Sequence, residues 1–292
     1  MSFIYAENKE SFAIFSDTKI TTDDRLEKQW NSSEEKHLLE QIGSIKSIII
    51  SPNIVICYAG NNLDKAAELL RIIKSRSDNL EDIVALASHI HNNSGENMIE
   101  FLVAYCDDYK RELISIKNNL VVRNCTAAWI GSLIAYKKFK ELEEQYSKRK
   151  TKNQYDYLCI RECFLQAIES GTDPTVGGMV VSIKALEYIN TFQYMEQVTA
   201  TTSSWPQTII PGERVKFFEG AGKGSYSCFV YQSKKDFCYY VYENNSGIVY
   251  TDEVSFAKGL EGLKFPVIYK VDRQQFDVIA ERHGACSNIS YA

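Results

Sequence analysis

Ser2 carries a hydroxyl on a residue that becomes the amino terminus once Met1 is removed, and its small side chain permits that removal. A terminal serine holds both a nucleophile and a base, because its neutral α-amine can take up the hydroxyl proton directly or through a water. Lys46, placed beside such an amine, disfavours the protonated form by like-charge repulsion. Asp17 is a carboxylate that could keep that lysine charged and in place. Gly60 lets a backbone N–H come close to a ligand, as an oxyanion donor must. Each residue also has a plainer reading. Met-Ser opens many chains with no chemistry attached, and Asp17 with Lys46 could be a surface ion pair worth about 0–1 kcal/mol. Gly60 could be a strand-to-helix turn glycine. Ser132 and Asp173 are, by default, a helix N-cap and a turn residue.

The chain around these residues is of ordinary globular composition. Its 292 residues are 45% hydrophobic and 24% charged, enough to bury a sizeable core. A net charge of −5 argues against a general phosphate-backbone binder, which needs a cationic excess. Eight cysteines form no CxxC pair, and Cys159 and Cys163 read as buried thiols on one helix face rather than metal ligands. No basic segment leading into an apolar run opens the chain, and no apolar run reaches membrane-spanning length. These features predict a cytoplasmic protein with reduced thiols, no metal and no cofactor.

Hydrophobic periodicity supplies the elements that must position the candidate residues. Ser2–Glu7 and Ser11–Asp17 read as a hairpin, as do Ile45–Ile50 and Ile54–Ala59, with a charged, exposed or locally helical segment at 18–41 between the two pairs. Helical spacing follows at Leu63–Ile73, behind the capping Asn61-Asn62, and at about Leu80–Asn92. Strands return at Glu100–Tyr105, Glu112–Ile116 and Leu120–Arg123. Helices then cover about Leu133–Tyr146 and Tyr155–Glu169, separated by a cationic linker, and Gly177-Gly178 opens a strand at Met179–Ile183. Blocks of strands and helices in this order point to separate sheets flanked by helices rather than regular βαβ winding. From about Val198 the glycines and aromatics suggest a β-rich unit, so the expected domains are 1–195 and 196–292.

Taken together, five stretches carry a resemblance. They are Ser2; Ser16-Asp17-Thr18-Lys19-Ile20-Thr21; Lys46, thirteen and fourteen residues before Ala59-Gly60; Ile130-Gly131-Ser132; and Asp173 before Gly177-Gly178. In this order and approximate spacing they resemble the proteasome-type β subunits of the N-terminal nucleophile hydrolases, including their bacterial relatives. Phe101–Tyr105 with Glu112–Ile116 is similar to that family's central hairpin, and the likeness covers about residues 2–190. It implies an α+β chain built as a four-layer αββα sandwich, to which the composition from about Val198 adds a C-terminal β-rich extension. It also implies acyl transfer to Ser2, with Asp17 and Lys46 beside the nucleophile, Gly60 as oxyanion donor, and Ser132 and Asp173 orienting the amine. The implied substrate is a polypeptide or small amide. The implied partners are further copies in a ring and an ATPase or regulatory protein; no membrane and no nucleic acid are expected from the short apolar runs and the net charge of −5.

The sequence departs from the family pattern in using Ser for Thr, in placing Phe3 next, in a longer segment between Asp17 and Lys46, and in Val176 where a serine is frequent. A non-catalytic structural subunit is therefore the competing expectation, and an interaction role for the C-terminal unit is another. Glu219–Ser225 only partly matches a phosphate loop and reads as a hairpin turn, while His89 and His91, two apart, would diverge on a helix.

Overall fold

The computed structural model describes residues 2–20, 43–76, 79–95, 98–149, 157–186, 190–195, 228–233, 237–241, 246–251, 260–283 and 285–286. The charged segment at 21–41 and the Glu219–Ser225 stretch lie outside the described residues. The fold is α+β, and the described residues form five helices and three antiparallel five-stranded sheets.

The first sheet begins with β1 (Phe3–Asn8) and β2 (Phe12–Asp17), paired so that Ile4 faces Ser16. It is completed by β8 (Ala127–Gly131) beside β1, and by β9 (Val180–Leu186) and β10 (Thr191–Tyr194) beyond β2. The second sheet runs in order through β3 (Ser47–Ser51), β4 (Ile54–Gly60), β5 (Ile99–Cys106), β6 (Arg111–Lys117) and β7 (Leu120–Val122).

Strand alternation divides the core. Phe3, Tyr5 and Phe15 point to one face of the first sheet and pack on Phe139 of α3 (Leu133–Arg149) and Phe164 of α4 (Tyr157–Glu169). Phe3 stacks on Phe164 at 4.7 Å, so the aromatic residue after Ser2 is a core anchor. Ile4, Ala6 and Ile14 point the other way, into a cluster shared with Val55, Cys57, Leu102 and Ile114 of the second sheet. The same cluster takes in Ala66, Leu70 and Ile73 of α1 (Leu63–Arg76) and Ile83, Ala87 and Ile90 of α2 (Leu80–Asn92). Burial on both faces accounts for the near-continuous apolar runs of β4 and β5.

Local chemistry sets the helix starts. Asn62 Oδ1 accepts the Lys65 N–H at 3.1 Å, and Asn79 Oδ1 accepts that of Glu81 at 2.8 Å. On α4, Cys163 is buried and Cys159 half-buried, both as free thiols. Asn92 and His91 close α2. The His91 ring is buried, with Nδ1 2.6 Å from the Ile99 carbonyl and Nε2 accepting the Asn119 N–H at 2.9 Å.

The C-terminal region holds β11 (Cys228–Ser233), β12 (Phe237–Val241), β13 (Ser246–Thr251), β14 (Phe265–Lys270) and β15 (Ala285–Cys286) in the order β14-β13-β12-β11-β15. Beside these strands lies a helix that the expectation of a β-rich unit did not name: α5 (Arg273–Arg282), capped by Asp272, which accepts the Gln275 N–H. Phe276 of α5 lies over Gly247, where a Cβ would sit 1.8 Å from the ring.

This region shares the large core. Leu260, Leu263 and Phe265 belong to the cluster that includes α1, the Ile45 N–H donates to the Lys264 carbonyl at 3.2 Å, and Tyr194 lies 5.2 Å from Phe237. Among the described residues, no helix is long and apolar enough to cross a membrane.

Candidate functional site

The start of β1, the end of β2, the approach to β3 and the start of α3 converge on Ser2. Ser2 is buried, and both sides of its peptide are held. The next amide, Phe3 N–H, donates to Asp17 Oδ1 at 2.9 Å. The Ser2 carbonyl accepts the Ser132 N–H at 2.7 Å. Asp17 ends β2 opposite β1, so the hairpin register alone brings it back beside residue 2.

Lys46 completes this side. Its Nζ donates to the same Asp17 oxygen at 3.0 Å and to the Lys19 carbonyl at 2.5 Å. The side chains of Lys46 and Asp17 are 3% and 0% exposed, so the reading as a surface ion pair does not hold. A pair removed from water is governed by desolvation as much as by attraction. Burial lowers the affinity of Lys46 for its proton, against the pull of Asp17 and aided by the nearby Lys19 charge. Burial also raises the Asp17 carboxyl above its ordinary range, against Lys46 and the Phe3 and Gly177 amides. Desolvation thus opposes charge on either partner, and the 3.0 Å contact between them opposes desolvation.

On the other side, Ser132 performs two tasks. Its Oγ accepts the Ala135 N–H at 3.0 Å, the N-cap expected of it, and donates to Asp173 Oδ2. Asp173 also accepts the Thr175 N–H at 2.8 Å and the Thr175 hydroxyl at 2.6 Å, as a turn residue does. Burial raises the Asp173 pKa, but the Ser132 and Thr175 bonds outweigh it and hold the carboxyl below its ordinary value. For Ser132 and Asp173 the structural and site readings are thus compatible.

Hydrogen bonds therefore run from Lys46 through Asp17 and the Ser2 peptide to Ser132 and Asp173. Gly60 reaches this cluster through its neighbour: a Cβ placed on Gly131 would lie 3.1 Å from the Ala59 methyl. Among the described residues, the Gly60 amide and the Ser2 hydroxyl share no hydrogen bond.

Several contributors lack a strong sequence signal. Gly131 has φ +89°, and a Cβ there would come within 1.9 Å of the Ser2 carbonyl oxygen. The Gly177 carbonyl accepts the Lys19 N–H at 3.0 Å, and Lys19 Nζ donates to the Pro174 carbonyl at 2.8 Å, tying the end of β2 to the Asp173 turn. Glu100 Oε2 accepts the Gly131 N–H at 2.8 Å. A glycine after a strand gives a weak hint of close approach, whereas nothing local marks Glu100.

A cavity of about 480 Å³ lined by Glu7, Lys9, Glu10, Ser11 and Tyr157 is at the opposite end of β1, roughly 17 Å of strand from Ser2. No group of three or more His, Cys, Asp or Glu side chains suited to a metal occurs among the described residues. No protein-family model matches the sequence, and no curated protein matches it.

Proposed function

We propose that the chain is an amide or peptide hydrolase of the proteasome-like N-terminal nucleophile type, with Ser2 as nucleophile once residue 1 is removed. We read the first two sheets and their flanking helix pairs as the αββα sandwich of that group. The observation that carries the proposal is the buried hydrogen-bond path from Lys46 through Asp17 to the Ser2 peptide and on to Ser132 and Asp173.

In this reading, the free α-amine of Ser2 takes the proton from Oγ as Oγ attacks the substrate carbonyl. Lys46 supplies nearby positive charge that keeps the amine unprotonated, and Asp17 keeps Lys46 in place. The tetrahedral oxyanion is taken by the Gly60 amide after substrate enters, a contribution of about 2.7–4 kcal/mol for one such donor. The amine then passes its proton to the leaving nitrogen, and water releases the acyl group from Ser2. Phe3 points into the opposite core and so takes no part of the face that Ser2 occupies. The cytoplasmic setting and multimeric state implied by the family resemblance belong to the same proposal.

Intact-mass measurement before and after treatment with a β-lactone tests it. The expected result is a chain lacking Met1 that gains one adduct, with the adduct lost in Ser2→Ala. Retained Met1, or equal labelling of Ser2→Ala, overturns the assignment in favour of a non-catalytic subunit.

A further inference from the structure

We propose that Glu100 is a positioning residue that sets the separation between the two halves of this site, an inference that rests on the hydrolase reading above. Ser2 and Ser132 belong to the first sheet and the start of its helix, whereas Gly60 and Lys46 belong to the second sheet or its approach. A nucleophile and an oxyanion donor on different sheets need a fixed distance between them, and apolar packing alone allows sliding.

Glu100 spans that gap. It stands on β5 directly opposite Ala59, the residue before Gly60. Its Oε2 accepts the Gly131 N–H at 2.8 Å, across to the last residue of β8. Gly131 is the residue that the Ser2 carbonyl leaves no room to substitute, and the following amide, Ser132 N–H, holds that carbonyl at 2.7 Å. One carboxylate therefore connects the strand pair carrying Gly60 to the peptide that fixes Ser2. Among the described residues β8 is an edge strand, so the outward Gly131 amide meets no further strand there, and Glu100 satisfies it.

The carboxylate is itself held. Lys117 Nζ is 3.7 Å from the same oxygen and 3.2 Å from the centre of the Trp129 ring, which stacks on Tyr136 of α3 at 4.4 Å. The side chains of Glu100 and Lys117 are 13% and 19% exposed, so solvent competes weakly for either.

Glu100→Asp withdraws the acceptor by about 1.5 Å while keeping the charge. Glu100→Gln keeps an oxygen within reach of Gly131 while removing the charge. The test is the rate of β-lactone labelling at Ser2 as a function of reagent concentration, on folded protein checked by circular dichroism. Glu100→Asp is expected to lower the limiting rate about 10- to 100-fold with the half-saturating concentration unchanged, the signature of misplacement rather than lost binding. Glu100→Gln is expected to label within a few-fold of the wild-type rate.

A wild-type rate in Glu100→Asp, a change confined to the half-saturating concentration, or equal slowing in Glu100→Gln would each overturn the proposal. Should Glu100→Asp not fold, slowing in Glu100→Gln alone overturns it. An unlabelled wild-type chain instead removes the hydrolase reading itself, and is recognised before any variant is compared.

Discussion

Lys46 and Asp17 show how strongly burial changes what a charged pair means. In water such a pair is worth little, but here the two side chains are 3% and 0% exposed and share one oxygen with the Phe3 amide. Removing one partner leaves the other charge stranded, at a cost of about 3–5 kcal/mol. Lys46→Met should therefore destabilise the chain by that order in urea unfolding, and adding Asp17→Asn should recover most of the loss. Both variants should fail to label at Ser2. Full stability in Lys46→Met would mean that Asp17 is not ionised beside it. The residue types were legible in the sequence, since a lysine thirteen residues before Ala-Gly and an acid ending a strand stand out. Their burial was not, because it depends on strands that meet only in the fold.

At the scale of elements, the start of α3 joins the site to the Asp173 turn. The Asp173 pKa is held below its ordinary 3.8, so between the two values the unfolded chain binds more protons than the folded one. Stability from this group is complete above pH 3.8 and is lost as pH falls through the folded value. Asp173→Asn should flatten that part of the acid unfolding profile, and an unchanged slope would show that the Ser132 bond does not stabilise the carboxylate.

The elements differ in how plainly the local sequence marks them. The β1–β2 hairpin and α2 are legible nearly to the residue, because short apolar runs around a polar turn mark the one and helical spacing marks the other. β8 is not, since Ala127-Ala-Trp-Ile-Gly has no clear alternation and becomes a strand by pairing with β1. β10 is four residues whose pairing depends on β9. α5 buries only Arg273, Phe276 and Ala280, too thin a stripe to announce a helix among aromatics. Glu100 looks like an ordinary polar strand residue because its partner, Gly131, is thirty-one positions away.

For the whole molecule, the C-terminal sheet is tied to the rest by shared side chains rather than by a linker alone. Leu263 is fully buried in the cluster that holds Leu70, and its neighbour Lys264 takes the amide of Ile45, one residue before the buried lysine. Gly262 sits so close to α1 that a Cβ would lie 2.7 Å from that of Leu70. Urea unfolding should therefore be a single transition, and Leu263→Ala should shift all of it by about 2–5 kcal/mol. Two separable transitions, with only one responding, would show that the sheets fold independently. The second sheet has a different outer limit. Its edge strand β7 exposes Leu120, Val121 and Val122 in succession, at 63%, 40% and 51%. Among the described residues the outer edge of β7 meets no strand, and backbone of that kind flanked by apolar side chains is where crowded chains adhere to one another, so handling at high concentration is a condition this surface tolerates poorly.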